Sequence, residues 1–178
     1  MAILKKRMFI FLAVKTILVL SLFVMSTRSL YAIENPVPLF SIGGGRLFAG
    51  PNHSGGIVQC EYKWGKYWCG HIRPQVTFAI PEMRSIFFGV GLAWEYYLTR
   101  KIVFSPNFSP GLYHRGEGRD LGYPLEFRSA LEAAYEFNNS ARIGTQFYHI
   151  SNGSLSDRNP GENAWVIFIA FPFHFGYR

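Results

Sequence analysis

Residues 85–98, SIFFGVGLAWEYYL, alternate with a period of two. Ile86, Phe88, Val90, Leu92, Trp94 and Tyr96 make one large apolar row, and Phe87, Gly89, Gly91, Ala93 and Glu95 make the other. Successive side chains of a strand point to opposite faces, so the spacing predicts a β-strand rather than a helix. The stretch from Leu125 to Phe137 repeats the pattern with more contrast. Leu125, Phe127, Ser129, Leu131, Ala133, Tyr135 and Phe137 share a face, and Glu126, Arg128, Glu132 and Glu136 lie opposite. Ala, Leu and Glu favour helices. At helical spacing, however, the apolar and charged residues would smear around the cylinder, so strand is the reading that keeps two clean faces.

Eight such segments run along the chain, at about 39–48, 56–63, 67–79, 85–97, 101–113, 124–137, 141–151 and 163–177. The gaps LTRK and NNSA are short, whereas HRGEGRDLG and NGSLSDRNPGE are long and polar. Short turns on one side and long loops on the other are the asymmetry of an outer-membrane barrel. Trp64, Tyr67, Trp68, Tyr96, Tyr97, Trp165 and Tyr177 near segment ends suit its aromatic girdles. The expected fold is all-β, an eight-stranded antiparallel outer-membrane β-barrel over residues 33–178. A lipocalin-like barrel with a greasy interior would give similar strings. The small and charged second face, with Glu95, Glu126, Arg128, Glu132, Glu136, Arg142 and Gln146, instead suits a narrow eight-strand lumen with lipid outside. Pro106, Pro110 and Pro172 each remove a ladder donor, so bulges or a bent strand are expected there.

Residues 1–32 open with Lys5-Lys6-Arg7, continue through an apolar run to Met25 and end in STRSLYA, the form of a secretory signal peptide. An uncleaved membrane helix is the rival, since the run is long enough to span. The segment carries Lys5, Lys6, Arg7, Lys15 and Arg28 and no acid, so losing these five cations takes the formal charge from +7 to +2. Nucleic-acid binding thereby loses its compositional support. Cys60 and Cys69, in QCEYKWGKYWCG, would face each other if the chain turned tightly at Trp64-Gly65, and a disulfide suits an exported protein. Two unpaired thiols are the alternative. The spacing is not that of a metal finger.

In ARIGTQFYHISN the row Ile143, Thr145, Phe147, His149, Ser151 falls on the lipid side, and Arg142, Gly144, Gln146, Tyr148, Ile150 on the lumen side. Polar groups in hydrocarbon need partners. On a barrel's outer face a cation costs about 2–4 kcal/mol at the midplane but ~0–1 near the interface. His149 and Ser151 stand at the loop end, where simple interfacial placement is tolerated. The loop after them returns through Asn159-Pro160-Gly161-Glu162-Asn163, and parity puts Asn163 outward beside His149 and Glu162 inward. A hydroxyl, an imidazole and an orienting oxygen on one surface form an acyl-transfer constellation. His149 would take the Ser151 proton, Asn163 would fix the imidazole tautomer, and Asn152 with nearby backbone N–H groups could hold the oxyanion.

YHISN…NPGEN resembles the active-site segment of the outer-membrane lipid A 3-O-deacylases, the acyloxyacyl hydrolase family. The resemblance implies an eight-stranded barrel of this size with a catalytic Ser at Ser151 and His at His149, facing the outer leaflet. Asn152, Asn159 and Gly161 also match, and the specific likeness covers residues 148–163. The family's third residue is a Glu at the position that Asn163 fills here, while Glu162 stands one place early. Either Asn163 orients the ring, or a loop bulge turns Glu162 round to do so. His-x-Ser-Asn-Gly is also similar to outer-membrane phospholipase A, which needs more strands and a longer chain.

The expected function is therefore a serine esterase that removes an ester-linked, 3-O acyl chain from lipid A among outer-membrane lipids. It needs neither metal nor cofactor. Arg115, Arg119 and Arg158, in external loops, could meet the sugar phosphates or be ordinary solvated charge. A phospholipase-type esterase and a non-enzymatic small barrel are the alternatives. The sequence leaves a homodimer open.

Overall fold

The computed structural model describes residues 36–50 and 52–173. Proposals for the signal segment and for Tyr177 lie outside them. Nine strand segments follow one another: β1 Leu39–Phe48, β2 Gly55–Lys63, β3 Ile72–Pro81, β4 Ile86–Trp94, β5 Tyr96–Tyr97, β6 Ile102–His114, β7 Leu125–Glu136, β8 Arg142–Ser151 and β9 Glu162–Pro172. Consecutive strands pair antiparallel except β4 and β5, which both pair β6, and β1 pairs β9. Because β4 and β5 form one strand interrupted at Glu95, the sheet closes into an eight-stranded barrel. Closure leaves no open edge, the requirement for a sheet to cross lipid.

Connections 49–54, 82–85, 115–124 and 152–161 gather at one end, and 64–71, 98–101 and 137–141 at the other. The prolines behave differently from expectation. The β4–β6 pairing keeps one register from Ile86↔His114 to Ala93↔Asn107, and the β6–β7 ladder runs unbroken through Pro106↔Leu131 and Pro110↔Phe127. No bulge is inserted. The lost N–H groups are absorbed as gaps in the β4–β6 ladder, where Pro106 and Pro110 have no assigned partner. The β2–β3 connection is also longer than expected, since β3 starts at Ile72.

That difference removes the proposed disulfide. Cys60 lies in β2 opposite Ile42 and Phe78, while Cys69 sits beyond the strand in the 64–71 connection, and both thiols are free.

Burial follows the alternation. Phe40, Ile42, Val58, Phe88, Val90, Leu112, Leu131, Phe147, Ile167 and Phe171 are exposed large hydrophobics on the outer face. The lumen is packed with polar side chains, as the small, charged second face required. At the short-turn end, fully buried Glu95 receives Arg73 Nη1 at 3.0 Å and Arg142 Nη1 at 2.7 Å. Higher up, Lys63 Nζ meets Glu132 at 2.7 Å and Arg128 Nη2 meets Glu61 at 2.9 Å. Arg128 also donates to Gln146 Oε1 and stacks on the Tyr148 ring at 4.2 Å. Tyr97, expected in a girdle, instead points inward and donates its hydroxyl to Glu136 Oε2 at 2.9 Å. Tyr67 likewise reaches Glu95 Oε2, at 3.4 Å.

Candidate active site on the outer barrel wall

The rotation of β8 decides what its polar residues can do. Its buried positions are Arg142, Gln146, Tyr148 and Ile150, so His149 is exposed on the outer wall and Ser151 is half-buried on the same face. Register sets their neighbours. His149 lies opposite Asn163 on β9 and Ser129 on β7, and Ser151 lies opposite Phe127. All these side chains except Phe127 are polar, in a wall that is largely apolar.

Asn163 Oδ1 stands 2.9 Å from His149 Nδ1. An amide oxygen only accepts, so Nδ1 carries the proton and Nε2 is left as the base. Gly161 sets the other edge of the ring. A Cβ there would lie 2.7 Å from His149 Cε1 and 3.1 Å from Nε2, and its φ of +59° belongs to the left-handed region. Only glycine meets both demands. Gly161 immediately precedes β9, just beyond the Ile150↔Glu162 pair and so at the same loop end as Ser151. The Nε2 edge thus faces the loop end of β8, where the serine stands. Among the described residues Ser151 Oγ makes no hydrogen bond, and contacts of this kind often tighten only when substrate is present.

Glu162 is turned into the lumen, almost fully buried, in an unbroken ladder with Ile150. The bulge that would bring it to His149 is not there; Asn163 is the residue that touches the imidazole. Asn152 also departs from expectation. Its side chain is fully buried and its Nδ2 donates to the carbonyls of Leu121 and Arg158, both at 2.8 Å, while its Oδ1 accepts from Ser154 N at 3.0 Å. Its backbone N–H donates to Asn159 Oδ1 at 3.1 Å. Asn152 therefore staples the 115–124 and 152–161 loops together with its N–H donors engaged, and Asn159 braces it from within the second loop.

Two of the three loop arginines meet at one carboxylate, and the third turns toward the site. Arg158 Nη1 pairs with Asp120 at 3.0 Å, and Arg115 lies 3.9 Å from the same carboxylate. Arg119 Nη1 donates to the Gly161 carbonyl at 2.9 Å, so it braces the turn beside His149. Sequence reasoning put Ser129 in the outward row without joining it to the site, and passed over Arg46. The alternation of LFSIGGGRLF already puts Arg46 with Phe40, Ile42 and Phe48, but the closeness of Ser129 to His149 needs the pairing register.

Residues 50–172 match the family model for lipid A 3-O-deacylase (PagL). A crystal structure of the outer membrane enzyme PagL is similar over 76% of this chain and 99% of its own, with 19% identity and a TM-score of 0.58. A de novo designed transmembrane β-barrel is similar over 76% of this chain and 95% of its own, with 10% identity and a TM-score of 0.50. At these identities the two structures speak to the fold alone. No curated protein matches the chain. The family match and the closed barrel with its apolar exterior make this a protein of the bacterial outer membrane. The chain belongs to the PagL family of lipid A 3-O-deacylases.

Proposed function

We propose that this chain hydrolyses the 3-O-linked acyl ester of lipid A by serine catalysis on its lipid-facing wall. The observation that carries the reading is the 2.9 Å contact between His149 Nδ1 and Asn163 Oδ1, outside the barrel and beside the Ser151 row. His149 Nε2 takes the Ser151 proton as Oγ attacks the ester carbonyl. Collapse of the tetrahedral adduct expels the sugar oxygen as an alkoxide, which the His149 imidazolium protonates to the hydroxyl, and leaves an acyl-serine. Water, deprotonated by His149, then releases the fatty acid and restores Ser151.

Asn163 holds the imidazole in the right tautomer but brings no negative charge, so it orients without stabilising the imidazolium as a carboxylate would. With the Asn152 donors engaged, the oxyanion is assigned to backbone N–H groups. That of Gly153, two places after Ser151, has no partner among the described residues. Because the ester of a membrane lipid lies just below the headgroups, a serine at the loop end of an outward-facing strand meets it without the lipid leaving its leaflet.

The test is acyl release by protein refolded in vesicles, with lipid A and glycerophospholipid offered separately. Lipid A should lose one acyl chain, and Ser151→Ala and His149→Ala should stop the loss. Release from the glycerophospholipid alone would transfer the same site to phospholipase chemistry. No release from either would leave a non-enzymatic barrel, although the filled lumen argues against solute passage.

A further inference from the structure

Among the described strand residues that point outward, Arg46 is the only one with a permanent charge. It is exposed, and among the described residues no carboxylate pairs with it. The carboxylate of the adjoining hairpin, Glu82, instead accepts the Gly56 N–H at 3.0 Å. Arg46 stands two residues inside the end of β1, or about 7 Å along the strand. Its position relative to the candidate site is set by register. Phe48 lies opposite Asn163, which lies opposite His149, and Arg46 lies opposite Trp165, which lies opposite Phe147. Two strand spacings, about 10 Å, separate β1 from β8.

Below Arg46 the wall is dented. Ile42, Gly44, Ile167 and Ile169 line a shallow apolar depression, open along most of its face. Gly44 makes the dent, since a side chain there would meet nothing closer than the Ile57 carbonyl at 3.6 Å. An unpaired guanidinium above an apolar trough, on a wall that faces lipid, is complementary to a phosphate joined to an acyl chain. The planar fork of Arg suits phosphate oxygens in two-point contact.

We infer that Arg46 and the Gly44 trough form a substrate subsite, in which Arg46 binds a phosphate of the outer-leaflet lipid and the trough holds one acyl chain that is not cut. This rests on the proposed deacylase reading. It explains how a multiply acylated, phosphorylated sugar would be held in one orientation, with a different chain presented to Ser151.

Binding in a Ser151→Ala background separates this subsite from the chemistry. In detergent micelles, Arg46→Gln should weaken binding of bisphosphorylated lipid A about tenfold, leave dephosphorylated lipid A unchanged, and be partly rescued by Arg46→Lys. Gly44→Leu, which has room for its side chain, should weaken both lipids. In the catalytic protein the same two substitutions should raise KM and leave kcat near wild type. If Arg46→Gln binds both lipids as the parent does, or weakens both equally, the subsite is wrong, whatever Ser151→Ala does to turnover. If Ser151→Ala still deacylates while Arg46→Gln discriminates phosphate, the subsite stands and the catalytic reading falls.

Discussion

Asn163 and Glu162 are adjacent in sequence and point to opposite sides of a wall one strand thick. Asn163 touches His149, and Glu162 is buried in the lumen with one oxygen lacking a partner. On the proposed mechanism, Asn163→Ala frees the imidazole to rotate and should lower kcat about 10²-fold with KM little changed. Glu162→Gln, which leaves the outer wall untouched, should keep kcat within about twofold. Steady-state kinetics on lipid A in micelles measures both, and the opposite ranking would make Glu162 the third member. Gly161 supplies a second prediction. Gly161→Ala puts a methyl within contact of the His149 ring and strains a left-handed φ, so kcat should fall at least tenfold while the barrel still folds. The facing of His149 and Ser151 was legible from the period of two alone. The structural jobs of Asn152 and Asn159 were not, because Asn152 depends on the carbonyls of Leu121 and Arg158 that the loops bring to it, and Asn159 on the Asn152 N–H.

At the scale of elements, the loop pair 115–124 and 152–161 acts as a brace for the site. Arg119 holds the Gly161 carbonyl, and Asn152 ties Leu121 to Arg158. Loss of a buried hydrogen-bonded partner costs about 1–3 kcal/mol. Asn152→Ala should therefore raise hydrogen exchange in 152–161 by one to two orders of magnitude, with β-strand protection unchanged. Arg119→Ala should lower kcat more than it raises KM; a pure KM effect would return Arg119 to phosphate binding. Most strands lie within a residue or two of where alternation put them, because one face buried in a tight lumen and one in lipid tolerate no slip. The failures are equally physical. The 64–71 connection is rich in Trp and Tyr and so imitates a strand, which moved the start of β3 and suggested a disulfide that the register forbids. Proline in β6 suggested bulges, yet a closed barrel keeps register by leaving gaps in one ladder.

The whole molecule inverts a soluble protein, with ion pairs inside and an apolar belt outside. Around Glu61, Lys63, Arg73, Glu95, Arg128, Glu132 and Arg142 its interior is a network of paired charges. Glu95 balances both Arg73 and Arg142, so Glu95→Ala leaves two buried cations short of one carboxylate and should cost about 3–5 kcal/mol. Urea unfolding in lipid vesicles reads this as a lower midpoint with an unchanged slope. Activity per folded molecule should stay near wild type, since Glu95 lies at the end of the barrel away from His149. The barrel class, the lumen composition and the outward rotation of β8 could be read from the chain. Arg46 could have been, from parity, but its meaning emerges only once β1 closes against β9 and puts it two strands from the imidazole. The most direct measurement is the mass of lipid A recovered from vesicles after incubation with folded wild type, Ser151→Ala and His149→Ala. Loss of one 3-O acyl chain with wild type, and intact lipid A with both variants, is the predicted result. Deacylation by either variant at the wild-type rate would contradict catalysis on the outer wall.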